Sequence, residues 1–475
     1  MSPDALSSLV SPDPAAPDPL PVQIHRAVLA AIADGRLPDG TRLPSTRSAA
    51  QALGLSRITL TTAYDLLRAE GVLAIARGRA PVIVAPRGSS GARGDMGRSP
   101  EPSPRGRALA RDFRVESFVT NAGALRPGVP AEHLFPREEW GMALRRAARR
   151  SGGEDAAYGS THGLAALRAV LAERLRADRG LAVDPECILV TTGTQGSLSL
   201  LAQVMTQDGD CAAMEDPGFL GARAAFEGAG LSVAPIPVDD QGLVVEALPA
   251  AARLIFVTPS NQYPLGCRMS LERRLALVAH ARRHDALILE DDYESEFLWR
   301  GRQVATLAAH APAQVAYLGS AAKVLMPALR IGWIVAPPEL VPALRLAQRN
   351  LGLMANLHTQ RALAEVMLSG RYRAHVRRMA RAYEAAGNAL AHALEGIPAI
   401  EVRAPDGGVQ LALRFRDGRD ETAILAALGR AGFRPARLSA YAAGRMTGLI
   451  VGFGDAGERT ITRFRAALLR ALDAA

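Results

Sequence analysis

The chain carries 56 basic residues, of which 55 are arginine and one, Lys323, is lysine. A guanidinium matches an ammonium in charge and in solvating a surface, but it stays protonated and does not condense with a carbonyl to form an imine. One position has kept an amine where every other basic site lacks one, which makes Lys323 a Schiff-base candidate. The count alone leaves open the chance survival of a surface lysine. Its surroundings, GSAAKVLMPALRIG, add Ser320 and Arg330, whose hydroxyl and guanidinium suit the oxygens of a phosphate. A second segment, TTGTQGSLSLL, leaves an apolar run through Gly193 and opens a helical pattern. The free N–H groups at Thr194 and Gln195, with the positive helix end, attract the same anion. A third, LILEDDYESEF, ends an apolar run in Glu290, Asp291, Asp292 and Tyr293. Acids at the carboxyl end of a strand stand where α/β sheets bind ligands, although a solvated acidic turn reads the same in isolation.

An imine-forming lysine, phosphate donors and a carboxylate are together what a pyridoxal 5'-phosphate site requires. The carboxylate, ionised beside the ring nitrogen, keeps that nitrogen protonated and makes the ring an electron sink. No metal site is expected. Cys187, Cys211 and Cys267 are too few and too scattered for a zinc knuckle or a disulfide framework, which suits small buried hydrophobes in a reducing cytoplasm.

The elements that must position these groups follow from periodicity. From about residue 112 onward, short apolar runs at 188–191, 254–258, 286–290, 315–319 and 331–336 alternate with Ala/Leu/Arg helical patterns, the signature of an α/β sheet covered by helices. Residues 86–111, dominated by proline, glycine, serine and arginine, have linker composition. Residues 1–19, proline- and alanine-rich, read as a disordered tail with no secretory pattern. The uncharged stretch 188–207 is too polar for a membrane helix, so no membrane association is expected.

Between them, residues 20–85 read as three helices and a hairpin. Apolar residues recur at helical spacing from 21 to 35, Gly54 ends a short second helix, and Ser56 caps a third that runs to Gly71. Runs at 72–76 and 81–85 flank Arg77-Gly78-Arg79. Such a winged helix-turn-helix offers Ser56, Arg57, Thr59 and Thr62 to the major groove, with Arg47, Arg77 and Arg79 for flanking phosphates. The net charge of +9 admits a polyanionic partner without requiring one. A basic helical bundle used for dimerisation shares this periodicity.

The stretch GRLPDGTRLPSTRSAAQALGLSRITLTTAYDLLRAEGVL resembles the DNA-binding domain of GntR-family regulators. The resemblance gives Ser45, Arg47, Ser56, Arg57 and Thr59 DNA-contact roles. The wing departs from the family, because Gly78-Arg79-Ala80-Pro81 lacks a second glycine. The remainder resembles a fold-type I aminotransferase, through RPGVPAEHLFPREEW, YGSTHGLAALR, TTGTQGSL, EDPGF, TPSNQYPLG, EDDYESEF and YLGSAAKVLMPALRIGW. The order of the modules is similar to that of the MocR/GabR transcriptional regulators.

The resemblance implies a multidomain chain, with a mostly α winged helix over 20–85 and an α/β fold-type I aminotransferase-like domain over 112–475. It also implies that Lys323 bonds to pyridoxal phosphate, Asp291 pairs with the ring nitrogen and Tyr293 approaches the ring hydroxyl. Gly193, Thr194, Gln195, Ser320 and Arg330 then hold the phosphate, and Asn261 to Tyr263 line the same pocket. Phe219 stands where the family commonly has a ring-stacking tyrosine, and Ala321 and Ala322 stand where it often has Phe-Ser. Arg445 is the expected arginine for an effector carboxylate, with Arg437 its competitor. A head-to-tail homodimer, a double-stranded DNA operator and a small amino-compound effector complete the expectation. The rival is a working aminotransferase with an appended DNA-binding domain.

Overall fold

The first helix begins at residue 3. In the computed structural model, which describes residues 1–76, 80–84, 101–112, 122–150, 161–301, 305–444 and 446–474, α1 (Pro3–Leu9) is capped by the Ser2 hydroxyl. Leu6 and Val10 are buried in the same cluster as Ile24, Val28 and Leu60. The expected disordered tail is thus corrected. Proline and alanine dominate its composition, but Leu6, Leu9 and Val10 recur at three- and four-residue spacing, which is one apolar stripe. The Gln23 side chain ties the rest of the segment down through Asp13 and the carbonyl of Asp18.

The helices α2 (Leu20–Ala33), α3 (Thr46–Leu53) and α4 (Arg57–Ala69) follow. Ser45 and Ser56 accept the N–H groups of Ser48 and Thr59, so α3 and α4 start where side-chain oxygens satisfy their first free donors. Gly54 ends α3 in left-handed backbone. The wing pairs β1 (Leu73–Ala74) with β2 (Val82–Ile83), and Ile83 bonds to Gly40 and Thr41 on its other side. Arg77 and Arg79, expected between these strands, lie outside the described residues.

Met1–Glu101 forms one unit and Pro102–Ala475 another. The expected flexible segment 86–111 is corrected over its last part. There α5 (Pro104–Leu109), capped by Ser103, packs on the helix Leu220–Gly228 of the second unit, and Arg105 pairs with Asp208.

The second unit is built on a sheet of order β3-β10-β9-β8-β7-β4-β5-β6. Its strands are β3 (Ile188–Thr191), β4 (Cys211–Asp216), β5 (Ser232–Asp239), β6 (Gly242–Leu243), β7 (Ala252–Val257), β8 (Leu287–Asp291), β9 (Val315–Ser320) and β10 (Gly332–Val335). The central strands are parallel, while β10 runs antiparallel to both β3 and β9. Both faces are covered, so β3, β8 and β10 are buried throughout and show no alternation. A smaller antiparallel sheet, ordered β11-β12-β14-β13, comprises β11 (Ile400–Val402), β12 (Gln410–Phe415), β13 (Ala436–Arg437) and β14 (Gly448–Gly452).

The register positions the site. Thr191, Gly332 and Ser320 are cross-strand partners, so the turn after β3, the approach to β10 and the turn after β9 converge at one edge. Asp291 pairs with Leu318, two rows away.

Candidate cofactor and DNA-binding sites

A cavity of about 370 Å³ opens at that edge, a size suited to a small ligand. Gly193, Thr194, Gln195, Phe219, Tyr263, Asp291, Tyr293, Ser320, Lys323 and Arg330 all line it. These residues come from segments spread over more than a hundred positions. Gly193 adopts φ +98°, a conformation glycine takes at no steric cost, and caps the helix Thr194–Met205 so that its first N–H groups face the cavity. A Cβ on Gly332 would lie 2.8 Å from the Gly193 Cα, so this close approach holds the β3 turn against β10. Arg330 takes left-handed backbone at φ 50° just before β10, and its Nη1 reaches toward Gly193.

Lys323 is half-buried and its Nζ donates to the Gly128 carbonyl at 2.6 Å. Burial lowers its pKa, opposed by Glu294 and, less strongly, by Asp291. Asp291 is 4% exposed, its Oδ1 has no hydrogen-bond partner, and burial pushes it up to about 8 with Asp292 reinforcing the shift. An uncompensated carboxyl of this kind fits a cationic ring nitrogen. The edge of Phe219 meets Tyr263 at 5.7 Å, and Tyr263 meets Tyr293 at 5.9 Å, so aromatic surface walls one side.

Two expectations are adjusted by this geometry. Asn261 does not line the cavity; it is buried behind it, with Nδ2 donating to Glu294 and its carbonyl accepting from the Tyr293 hydroxyl at 3.1 Å. Within the acidic run, only Asp291 faces the cavity. Asp292 is clamped by Arg179 at 2.7 and 3.0 Å, and Glu290 caps the helix Leu307–His310 through two backbone N–H groups. Thr258 and Glu215 were not singled out in the sequence. Thr258 lines the cavity and donates to buried Glu215, whose carboxyl burial pushes up to about 7. Arg445 lies outside the described residues, and Arg437 is turned to Thr422 and Glu421.

In the N-terminal unit, Arg47, Ser45, Ser56 and Arg57 are exposed around the start of α3 and α4. Thr59 is partly covered, and the Thr62 hydroxyl donates back to the Ile58 carbonyl at 3.0 Å. Ile58 itself is 79% exposed in the first turn of α4. Two residues from buried Leu60, it points about 200° away around the helix, a signal the sequence carried. An apolar side chain there matches a thymine methyl group.

Residues 20–83 match the bacterial regulatory proteins of the gntR family, and residues 130–428 match aminotransferase class I and II. A probable rhizopine catabolism regulatory protein MocR of Rhizobium meliloti is 37% identical over 93% of this chain and 92% of its own. The chain belongs to the MocR/GabR family. Another MocR/GabR-type relative, the pyridoxine biosynthesis transcriptional regulator PdxR of Corynebacterium glutamicum, is 32% identical over 94% of this chain and 95% of its own. The α-aminoadipate aminotransferase LysN of Thermus thermophilus, solved with a phosphopyridoxyl-leucine, superposes with a TM-score of 0.71 at 26% identity, covering 78% of this chain and 98% of that one. Pyridoxal 5'-phosphate is the cofactor of such a domain, and the unpartnered Asp291 oxygen, the Gly193 cradle and the Lys323 amine fit it.

Proposed function

We propose that this MocR/GabR-type chain is a pyridoxal phosphate-dependent transcriptional regulator. It reads an operator with its winged helix and senses an amino compound, or the cofactor itself, with the second unit. The observation that carries this is the convergence of the sole lysine, Lys323, with unpartnered Asp291 and guanidinium Arg330 on one cavity, in a chain that also bears a gntR-type module. When bound, the cofactor supplies an electrophilic carbon for amines and an electron sink. Lys323 provides the amine that holds it and yields to an effector amine. Asp291 keeps a proton on the ring nitrogen, and Arg330, Ser320 and the N–H groups of Thr194 and Gln195 bind the phosphate dianion. Tyr293 and Phe219 orient the ring, and Arg445 takes an effector carboxylate. Ser45, Arg47, Ser56, Arg57, Thr59, Thr62, Arg77 and Arg79 meet the DNA. The chain works as a head-to-tail homodimer in the cytoplasm, so that two winged helices read two half-sites.

Sensing requires that effector and DNA favour different arrangements to a different degree. The experiment is absorbance of the full chain with added pyridoxal phosphate, wild type against Lys323→Ala, then titration with amines while operator affinity is followed. A visible imine band near ~420 nm in wild type alone, as such a conjugate gives, and an amine that changes both band and affinity support the reading. A band without any response of DNA affinity, together with sustained turnover of an amino donor and keto acceptor, would replace it by the aminotransferase alternative.

A further inference from the structure

The acidic run 290–296 holds five carboxylates, and their partners divide them. Glu290 lies 4.0 Å from Arg274, Asp292 is clamped by Arg179, and Glu296 accepts from Arg174 at 2.6 Å. Among the described residues, Asp291 and Glu294 have no arginine within ion-pair reach, and both act on Lys323. Asp291 is accounted for by the ring nitrogen. Glu294 is not accounted for by anything above.

Glu294 is 1% exposed, and its surroundings are built for a carboxylate rather than for an apolar side chain. Asn261 Nδ2 donates to Oε2 at 3.0 Å and the Val409 backbone N–H also favours the carboxylate, while Oε1 is buried without a well-formed hydrogen bond. The turn before β12 closes directly on it: Gly408 has φ +86°, and a Cβ there would collide with Glu294 Oε2 and crowd Asn261 Nδ2. Lys323 is the cation that acts on it electrostatically. The other titratable groups turned toward it are Asp291, Tyr263, Tyr293 and Tyr383, and burial raises the pKa of each phenol, which keeps it neutral. Burying a carboxylate is costly unless a charge answers it, and among the described residues the charge of opposite sign acting on Glu294 is the Lys323 nitrogen.

We propose that Glu294 is a positioning residue of the cofactor site, the buried anion that keeps the Lys323 nitrogen protonated while that nitrogen is bonded to the cofactor. A protonated imine nitrogen makes its carbon more electrophilic, so Glu294 tunes how readily an incoming amine is captured. Asn261 holds the carboxylate in place through its Nδ2. Burial pushes the Glu294 carboxyl up to about 7, and Lys323 is the first of the groups that oppose this shift and favour the charged form.

The inference rests on the cavity binding pyridoxal phosphate, and the test separates the two. The full chain is loaded with the cofactor and its imine band followed from about pH 5 to about pH 10, for wild type, Glu294→Gln and Glu294→Asp. Removing the anion destabilises the protonated imine, so the midpoint in Glu294→Gln moves to lower pH by about one unit or more. Glu294→Asp, which keeps the charge but withdraws it by a methylene, moves the midpoint the same way by less. A purely structural residue would lower cofactor uptake or folding and leave the midpoint of the bound fraction where it was. That result, in either variant with the cofactor bound, overturns the proposal, and the aspartate variant alone decides if the glutamine variant does not fold. Failure of wild type to show any band would sink the reading of the cavity instead.

Discussion

In the proposed site Arg330 is expected to carry more of the phosphate binding than its counterpart would in a chain with hydroxyls beside the lysine, because Ala321 and Ala322 offer none. Arg330→Ala is therefore expected to weaken cofactor binding by about 2 to 3 kcal/mol, roughly 30- to 150-fold, the range of a charged hydrogen bond. A fluorescence or absorbance titration measures it, and a change below about threefold would mean that the Gly193 turn does the holding. Asp291 makes a different prediction. In the cofactor-free fold its pKa is raised to about 8 from 3.8, so between these values the folded state binds more protons than the unfolded chain. Stability should then fall as pH rises through that window, with Glu215, Glu290 and Glu294 contributing over the lower part of it. Asp291→Asn should flatten that slope in thermal unfolding curves from about pH 5 to 8, and an unchanged slope would show that the carboxyl is not the titrating group. At this scale the sequence was informative where chemistry is singular. Lys323 stood out by count alone, whereas Glu294 and Asp292 are indistinguishable in a string of acids and are separated only by which one finds an arginine.

At the scale of elements, periodicity located five strands of the large sheet and the helix after Ser56 to within a few residues, because buried strands and capped helices leave strong patterns, but it did not place β4, β5, β6 or the strands of the smaller sheet. It failed where few residues make the signal. α1 and α5 are seven and six residues long, below the length at which a helix is stable without tertiary partners, so their order comes from what they dock on. For α5 that partner is one helix with two ends of interest. Leu220–Gly228 begins directly after Phe219, at the cavity, and ends at Gly228, where a Cβ would collide with Leu109 of α5. Arg111 and Glu227 approach to 3.9 Å beside it. Gly228→Val should therefore unseat α5 and expose Arg105 and Arg107 to trypsin while leaving cofactor uptake intact. Equal cleavage rates in variant and wild type would show that α5 is held by its ion pairs, Arg105 with Asp208 and Arg111 with Glu227, rather than by this packing.

For the whole molecule, the division into a gntR-type unit and an aminotransferase-like unit was legible from composition shifts and from the order of the modules. What the string could not give is how the reader responds to salt and sequence. Arg47, in the first turn of α3, and Arg57, in the first turn of α4, are both exposed but have different expected duties. Arg47→Ala should weaken binding to all sequences alike and reduce the slope of log affinity against log salt by about one. Arg57→Ala should cost about 1 to 3 kcal/mol on the operator and relax base preference. Gel-shift titrations at two salt concentrations measure both, and identical behaviour of the two variants would remove the distinction between phosphate and base contacts.

The solitary amine that faces Gly128 also gives the molecule a built-in counter. A lysine-specific endoprotease has one bond to cut in the entire denatured chain, and borohydride reduction of a cofactor-bound sample would block that cut. The fraction of uncut polypeptide is then the fraction of sites that were occupied, read per chain and independent of any extinction coefficient.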